Sequence, residues 1–161
     1  MRLTVIACDI LIYIPAMVLC IMAFYETSNK TDSTSTNETT ILSTITLALL
    51  SPCLTIIDHG HFQYNNVSLG LSAFTIYFLL KNRVYCASIA FCLAISYKQM
   101  ALYFALPVFF FILGLTFFGE PSQQQRPSFI AGVFKVFQIG LVVIATMALC
   151  WLPFVLATPP S

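Results

Sequence analysis

The sequence predicts an all-α integral membrane protein of about six transmembrane helices, and three observations carry that expectation. The 161 residues are 59% hydrophobic and 8% charged, against roughly 45–50% apolar and about 25% charged in soluble domains. The mean hydropathy is +0.91. The apolar residues also fall in runs comparable with the roughly 17–25 residues of a bilayer-crossing helix. On a soluble globule of this length, 15 Phe and 7 Tyr would leave large sticky patches.

Dividing the chain at its charged and turn-forming clusters gives spans at 5–25, 41–57, 62–80, 84–97, 101–118 and 129–152. The first is too long for a signal-peptide core of roughly 7–15 residues and has no clear small-residue cleavage site, so it reads as a retained span. Residues 26–40 are rich in Ser, Thr and Asn; they bury nothing and read as a flexible polar loop. Two acceptor sequons lie there, at Asn29 and Asn37, and a third at Asn66. Such short matches are common by chance. The turn holding Lys81 and Arg83, and the one flanked by Arg126 and Lys135, fall on one side, which the positive-inside rule makes cytosolic. Residues 58–65, the 97–100 turn and the C-terminus then face the opposite, luminal side, and loop 26–40 is cytosolic.

A net charge of +1 excludes a nucleic-acid partner, because phosphate-backbone binding needs a clustered excess of Lys and Arg. The six cysteines occur singly within apolar runs, where a thiol packs as a small hydrophobe. They point to neither a disulfide framework nor a zinc site.

The stretch Asp58-His59-Gly60-His61-Phe62-Gln63-Tyr64-Asn65-Asn66 sets nine residues dense in polar groups between two apolar spans. Polar groups at membrane depth usually line a cavity or pathway, so this stretch is a candidate site; an ordinary exposed loop is the plainer reading. His59, His61 and Asp58 resemble metal ligands only superficially, since an His-x-His pair needs convergent partners. Proton-handling or hydrogen-bonding histidines are the favoured reading, with no metal. Tyr64 either stacks on a sugar face or marks the interfacial aromatic belt. Lys98, after a span of only 14 residues, either sits in a recess suited to a lipid phosphate or snorkels to headgroups. Asp9 lies about one turn inside the first span, near the same face. Topology therefore predicts that Asp9, Asp58, His59, His61 and Lys98 converge on a luminal cavity. Pro15, Pro107 and Pro153 read as shaping helices rather than doing chemistry.

Asp58-His-Gly-His-Phe-Gln-Tyr-Asn65, Val67-Ser-Leu-Gly70 and Tyr97-Lys-Gln-Met100 together closely resemble the dolichyl-phosphate-glucose-dependent alpha-1,3-glucosyltransferases. Asp9 within Cys-Asp-Ile-Leu-Ile-Tyr-Ile-Pro15, and Cys150-Trp-Leu-Pro-Phe154, extend the likeness to both ends of the chain. Lys98-Gln99-Met100 and Val67-Ser68-Leu69-Gly70 favour the branch that adds the first glucose over the one that adds the second. The resemblance implies part of a GT-C fold in the endoplasmic-reticulum membrane, inverting and without metal or cofactor. Its partners would be dolichyl-phosphate glucose, the dolichyl-diphosphate-linked high-mannose oligosaccharide and membrane lipid. It gives Lys98 to the donor phosphate, and Asp58, His59, His61, Gln63 and Asn65 to sugar orientation or cavity lining, with Asp9 and Tyr64 as further lining candidates. The family's catalytic carboxylate belongs to an Asp-Tyr-Pro-Pro element absent from this sequence, so the base is expected upstream. A catalytically inactive product of the same family, a transporter and a structural membrane subunit are the competing readings.

Overall fold

The computed structural model describes residues 2–31, 37–52, 56–60, 64–119 and 129–157, and every regular element among them is helical. The chain divides into two compact units, Met1–Lys81 and Asn82–Ser161.

In the first unit, α1 (Arg2–Cys8), a π-helical turn π1 (Asp9–Tyr13) and α2 (Ile14–Thr31) follow one another without a break. Val5, Tyr13, Ala16 and Ala23 are buried and Asp9, Ile12 and Cys20 half-buried, a stripe at the helical spacing of three or four residues. Pro15 accounts for the wide turn. Its ring would strike the carbonyl four residues earlier in a regular α-helix, and it has no N–H to give. Just before it, the Ile14 N–H reaches back to the Asp9 carbonyl, the five-residue step of a π-helix. The remaining elements are α3 (Glu38–Leu49), a second π-helical turn π2 (Ile56–Gly60) and α4 (Asn65–Leu80).

α4 packs chiefly on α2 and π1, and small residues make the approach possible. A Cβ on Gly70 would stand 3.0 Å from Ile12 Cγ2 and 3.1 Å from Tyr13 Cα. Two side-chain ties fix direction: Asn66 to Asp9 near the start of both helices, and Lys81 to Glu26 near their ends. The helices therefore run parallel. Between Asp9 and Glu26 the rise is about 26 Å at 1.5 Å per residue, close to a hydrocarbon core of about 30 Å.

The expected loop at 26–40 is helical at both of its ends, and residues 32–36 lie outside the described residues. α2 continues to Thr31 and α3 begins at Glu38, with Thr27 Oγ1 returning a hydrogen bond to the Ala23 carbonyl. A polar helix end needs no burial where it projects beyond an apolar span and its side chains bond along the helix.

The second unit holds α5 (Val84–Tyr97), a 3-10 segment (Gln99–Phe104), α6 (Ala105–Phe118) and α7 (Phe129–Ala157). α5 buries Val84, Ala87, Ser88, Ala90, Cys92 and Ala94. Its small residues let α7 approach closely, as small side chains do between membrane helices. α6 carries no charged residue, and Pro107 sits in its first turn, where an N–H would lack an intrahelical partner anyway.

Leu3–Asn29, Gln99–Phe118 and Phe129–Ala157 are long and apolar enough to cross a membrane, whereas Glu38–Leu49, Asn65–Leu80 and Val84–Tyr97 are apolar but shorter. The 12 residues of α3 reach only about 18 Å at 1.5 Å per residue.

Candidate functional site

The two aspartates singled out from the sequence are brought to one asparagine. Asp58, in π2, is fully buried, and its Oδ2 accepts the backbone N–H of Asn66 at 2.5 Å. Asn66 is the second residue of α4, whose early N–H groups have no intrahelical acceptor. The carboxylate thus closes the positive end of that helix from eight residues upstream, as a side-chain cap would. The Asn66 amide, itself 5% exposed, donates from Nδ2 to Asp9 Oδ1 at 2.9 Å.

Backbone irregularities surround this junction. Asp9 opens π1, Asp58 lies within π2, and Tyr64 just before α4 is left-handed at φ 53°. Single π turns and left-handed non-glycine residues concentrate at functional sites, because surrounding contacts must hold them. Those contacts are present. The Tyr64 hydroxyl pairs with Thr4 Oγ1 at 2.8 Å, Tyr13 donates to the Ala48 carbonyl at 3.0 Å, and Gly70 seats α4 on the backbone of π1. Asp58 Oδ1 and Asn66 Oδ1 are buried and have no donor among the described residues.

Asp9, Asp58, Tyr64 and Asn65 thus belong to one end of the first unit. The His59 backbone lies in π2; its side chain, and all of His61 and Gln63, lie outside the described residues. Asn66 closes the polar stretch singled out from the sequence but was named there only as a sequon, not among the individual site residues. Its place at the end of a polar stretch and within the first turns of the expected span 62–80 was the available signal. As the opening turn of a helix with a buried, engaged amide, Asn66-Val67-Ser68 does not present the exposed loop that glycosylation uses.

Lys98 lies in the second unit. Its backbone is extended and separates α5 from the 3-10 segment, with its N–H on the Ala94 carbonyl at 2.9 Å and its own carbonyl accepting from Ala101 N–H at 3.2 Å. Two cavities adjoin this break. One, of about 360 Å³, is apolar and lined by Phe91, Cys92, Ile112, Leu113, Ile139 and Val143 among others. The other, of about 540 Å³, adds Ser96, Gln99 and Trp151, and the two share Ile95 and Met147. Ser96 and Gln99 of the second bracket Lys98 in the sequence.

A profile of the ALG6, ALG8 glycosyltransferase family matches residues 1–160. The chain belongs to this family. It is 40% identical over 96% of its length to a Dictyostelium discoideum protein named probable dolichyl pyrophosphate Man9GlcNAc2 alpha-1,3-glucosyltransferase, covering 28% of that protein. The Drosophila melanogaster protein of the same name is 42% identical over 96% of this chain and 29% of its own length. The Schizosaccharomyces pombe protein is 46% identical over 88% and 26%, respectively. The chain thus spans under a third of the curated ALG6, ALG8 relatives it matches, and no solved structure matches it.

Proposed function

We propose that this chain is part of an alpha-1,3-glucosyltransferase of the endoplasmic-reticulum membrane. The enzyme moves glucose from dolichyl-phosphate glucose to a dolichyl-diphosphate-linked high-mannose oligosaccharide on the luminal face. The observation that carries the reading is the unbroken family likeness: 40–46% identity to relatives whose names all give one reaction.

The reaction is a direct displacement. A general base takes the proton of the acceptor hydroxyl, whose oxygen attacks the anomeric carbon. The bond from that carbon to the phosphate oxygen breaks, and dolichyl phosphate leaves. No residue of this chain is assigned as that base. Lys98 pairs with the donor phosphate, where a fixed cation stabilises the charge that grows on the leaving group. Two cavities that share Ile95 and Met147 support this role, one apolar and the other including Ser96 and Gln99, which bracket Lys98 in the sequence. Asp58, His59, His61, Gln63 and Asn65 orient sugar, and Asp9 and Tyr64 shape the same end of the first unit. Its buried, hydrogen-bonded acceptors support this half of the reading.

Complementation tests it. A yeast strain lacking the enzyme for the first glucose is given the full-length coding sequence containing this chain, and its lipid-linked oligosaccharide is analysed. Appearance of one glucose on the nine-mannose species is expected. A normally expressed protein that leaves the oligosaccharide unglucosylated would sink the proposal.

A further inference from the structure

Asp58 Oδ1 and Asn66 Oδ1 stand buried without a donor among the described residues, on two residues joined by the Asn66 N–H to Asp58 Oδ2 hydrogen bond. The first residue is fully buried and the second 5% exposed. Their other polar atoms are spoken for: Oδ2 by the α4 backbone, Nδ2 by Asp9. A buried acceptor left unmade costs about 1–3 kcal/mol, more for a charged group, and in a membrane protein bulk water is a poor remedy. The arrangement is rigid at every corner. Asp58 is held by the helix it caps, Asn66 by Asp9, and α4 by the close seat of Gly70 on π1. Rigid buried acceptors with no donor among the described residues are suited to neutral O–H donors, and the carboxylate accepts from them in charge-assisted hydrogen bonds. A pyranose offers neighbouring hydroxyls of that kind.

We infer that Asp58 and Asn66 form an acceptor pair for hydroxyls of a bound hexose, making Asn66, together with Asp58, a specificity-determining residue. This rests on the glucosyltransferase reading. It extends that reading by assigning the acceptor role to particular atoms and by recruiting Asn66, which is otherwise a helix residue inside a sequon. Glucose of the donor and the terminal mannose of the acceptor share the chemistry.

The test is a cycle between protein and substrate with the full-length protein in detergent. Donors lacking one glucose hydroxyl at a time, and acceptors lacking one hydroxyl of the terminal mannose at a time, are compared with the intact substrates. The enzymes are the wild type, Asp58→Asn and Asn66→Ala. Asp58→Asn keeps an oxygen for the Asn66 N–H while removing the charged acceptor. In the wild type one analogue should lose about 100-fold in kcat/KM, because a site built to bind a hydroxyl strongly rejects the analogue without it. In either variant the same analogue should lose less than about tenfold relative to the intact substrate, and the series it belongs to identifies donor or acceptor. Equal losses in variants and wild type would show a purely structural pair and overturn the inference. So would a wild type that uses every analogue within about threefold of the intact substrate, an outcome readable even if neither variant folds. A wild type that fails to transfer glucose from the intact donor would instead overturn the reaction itself.

Discussion

Lys98 and Asn66 show how differently single residues reveal themselves. Lys98 stands out in any reading, a cation within a long apolar stretch, and the structure adds two adjoining cavities and an extended backbone that ends α5. Replacing it by Ala in the full-length protein should lower kcat/KM for the dolichyl-phosphate donor about 10- to 100-fold, as expected for removing one electrostatic stabiliser of a leaving phosphate. Initial-rate kinetics against donor concentration would check this, and unchanged values would remove the lysine from the site. Lys98→Arg should restore only part of the loss, because the planar fork is not a substitute for a compact ammonium. Asn66 looks in sequence like a glycan acceptor and in structure like a buried bridge. Glycosidase treatment of the full-length protein should therefore show no mobility shift that Asn66→Gln abolishes.

At the scale of elements, the first helix and α4 are matched to each other through a glycine and a proline. Pro15 widens the turn that begins at Asp9, and Gly70 lets α4 come within van der Waals distance of that turn's backbone. Gly70→Val should destabilise the first unit by about 1–3 kcal/mol, the usual range for overpacking, because the nearest atoms include the Tyr13 Cα and Ile12 carbonyl, which are backbone and cannot swing away. Gly114→Ala in α6 is the control. Its Cβ would meet nothing within 4 Å, and a helical Gly to Ala change is otherwise neutral to stabilising. Thermal unfolding in detergent should lower the midpoint for the first substitution and not for the second; equal midpoints for the Gly70 variant and wild type would refute the close seat.

At the scale of the whole molecule, polar and charged groups separate by helix end within the first unit. In the first unit the Asp9, Asp58 and Asn66 junction lies at one end of two parallel helices and the Lys81 to Glu26 ion pair at the other. That spacing matches a bilayer and puts the two groups on opposite sides, so the proposed luminal site goes with a cytosolic Lys81 turn. A single Cys introduced at Asn82 of a cysteine-depleted full-length protein should react with a membrane-impermeant maleimide in sealed microsomes without detergent. Labelling only after permeabilisation would invert the topology. The Glu26 to Lys81 pair is half-exposed on both sides and contributes little to stability; its value here is as a marker of helix direction.

Composition alone determined that this chain is a bundle of membrane helices, because 59% apolar residues with 8% charge leave no other solvent for them. Charged and turn-forming clusters divided the apolar runs, and ordered motifs pointed to the family. Helix ends were less legible. The polar tail of α2 is supported by hydrogen bonds along the helix, such as Thr27 Oγ1 to the Ala23 carbonyl, which hydropathy does not weigh. Of the site, Asp9 and Asp58 were readable because a carboxylate in an apolar segment is expensive and conspicuous. That both reach the same asparagine was not readable, since the residues lie 57 and 8 positions from Asn66, and only the packing of α4 against π1 closes those distances. The sequence by itself determined the solvent, the helices and the family; tertiary structure alone decided which polar atoms meet, because that depends on helix direction and close approach rather than on residue type.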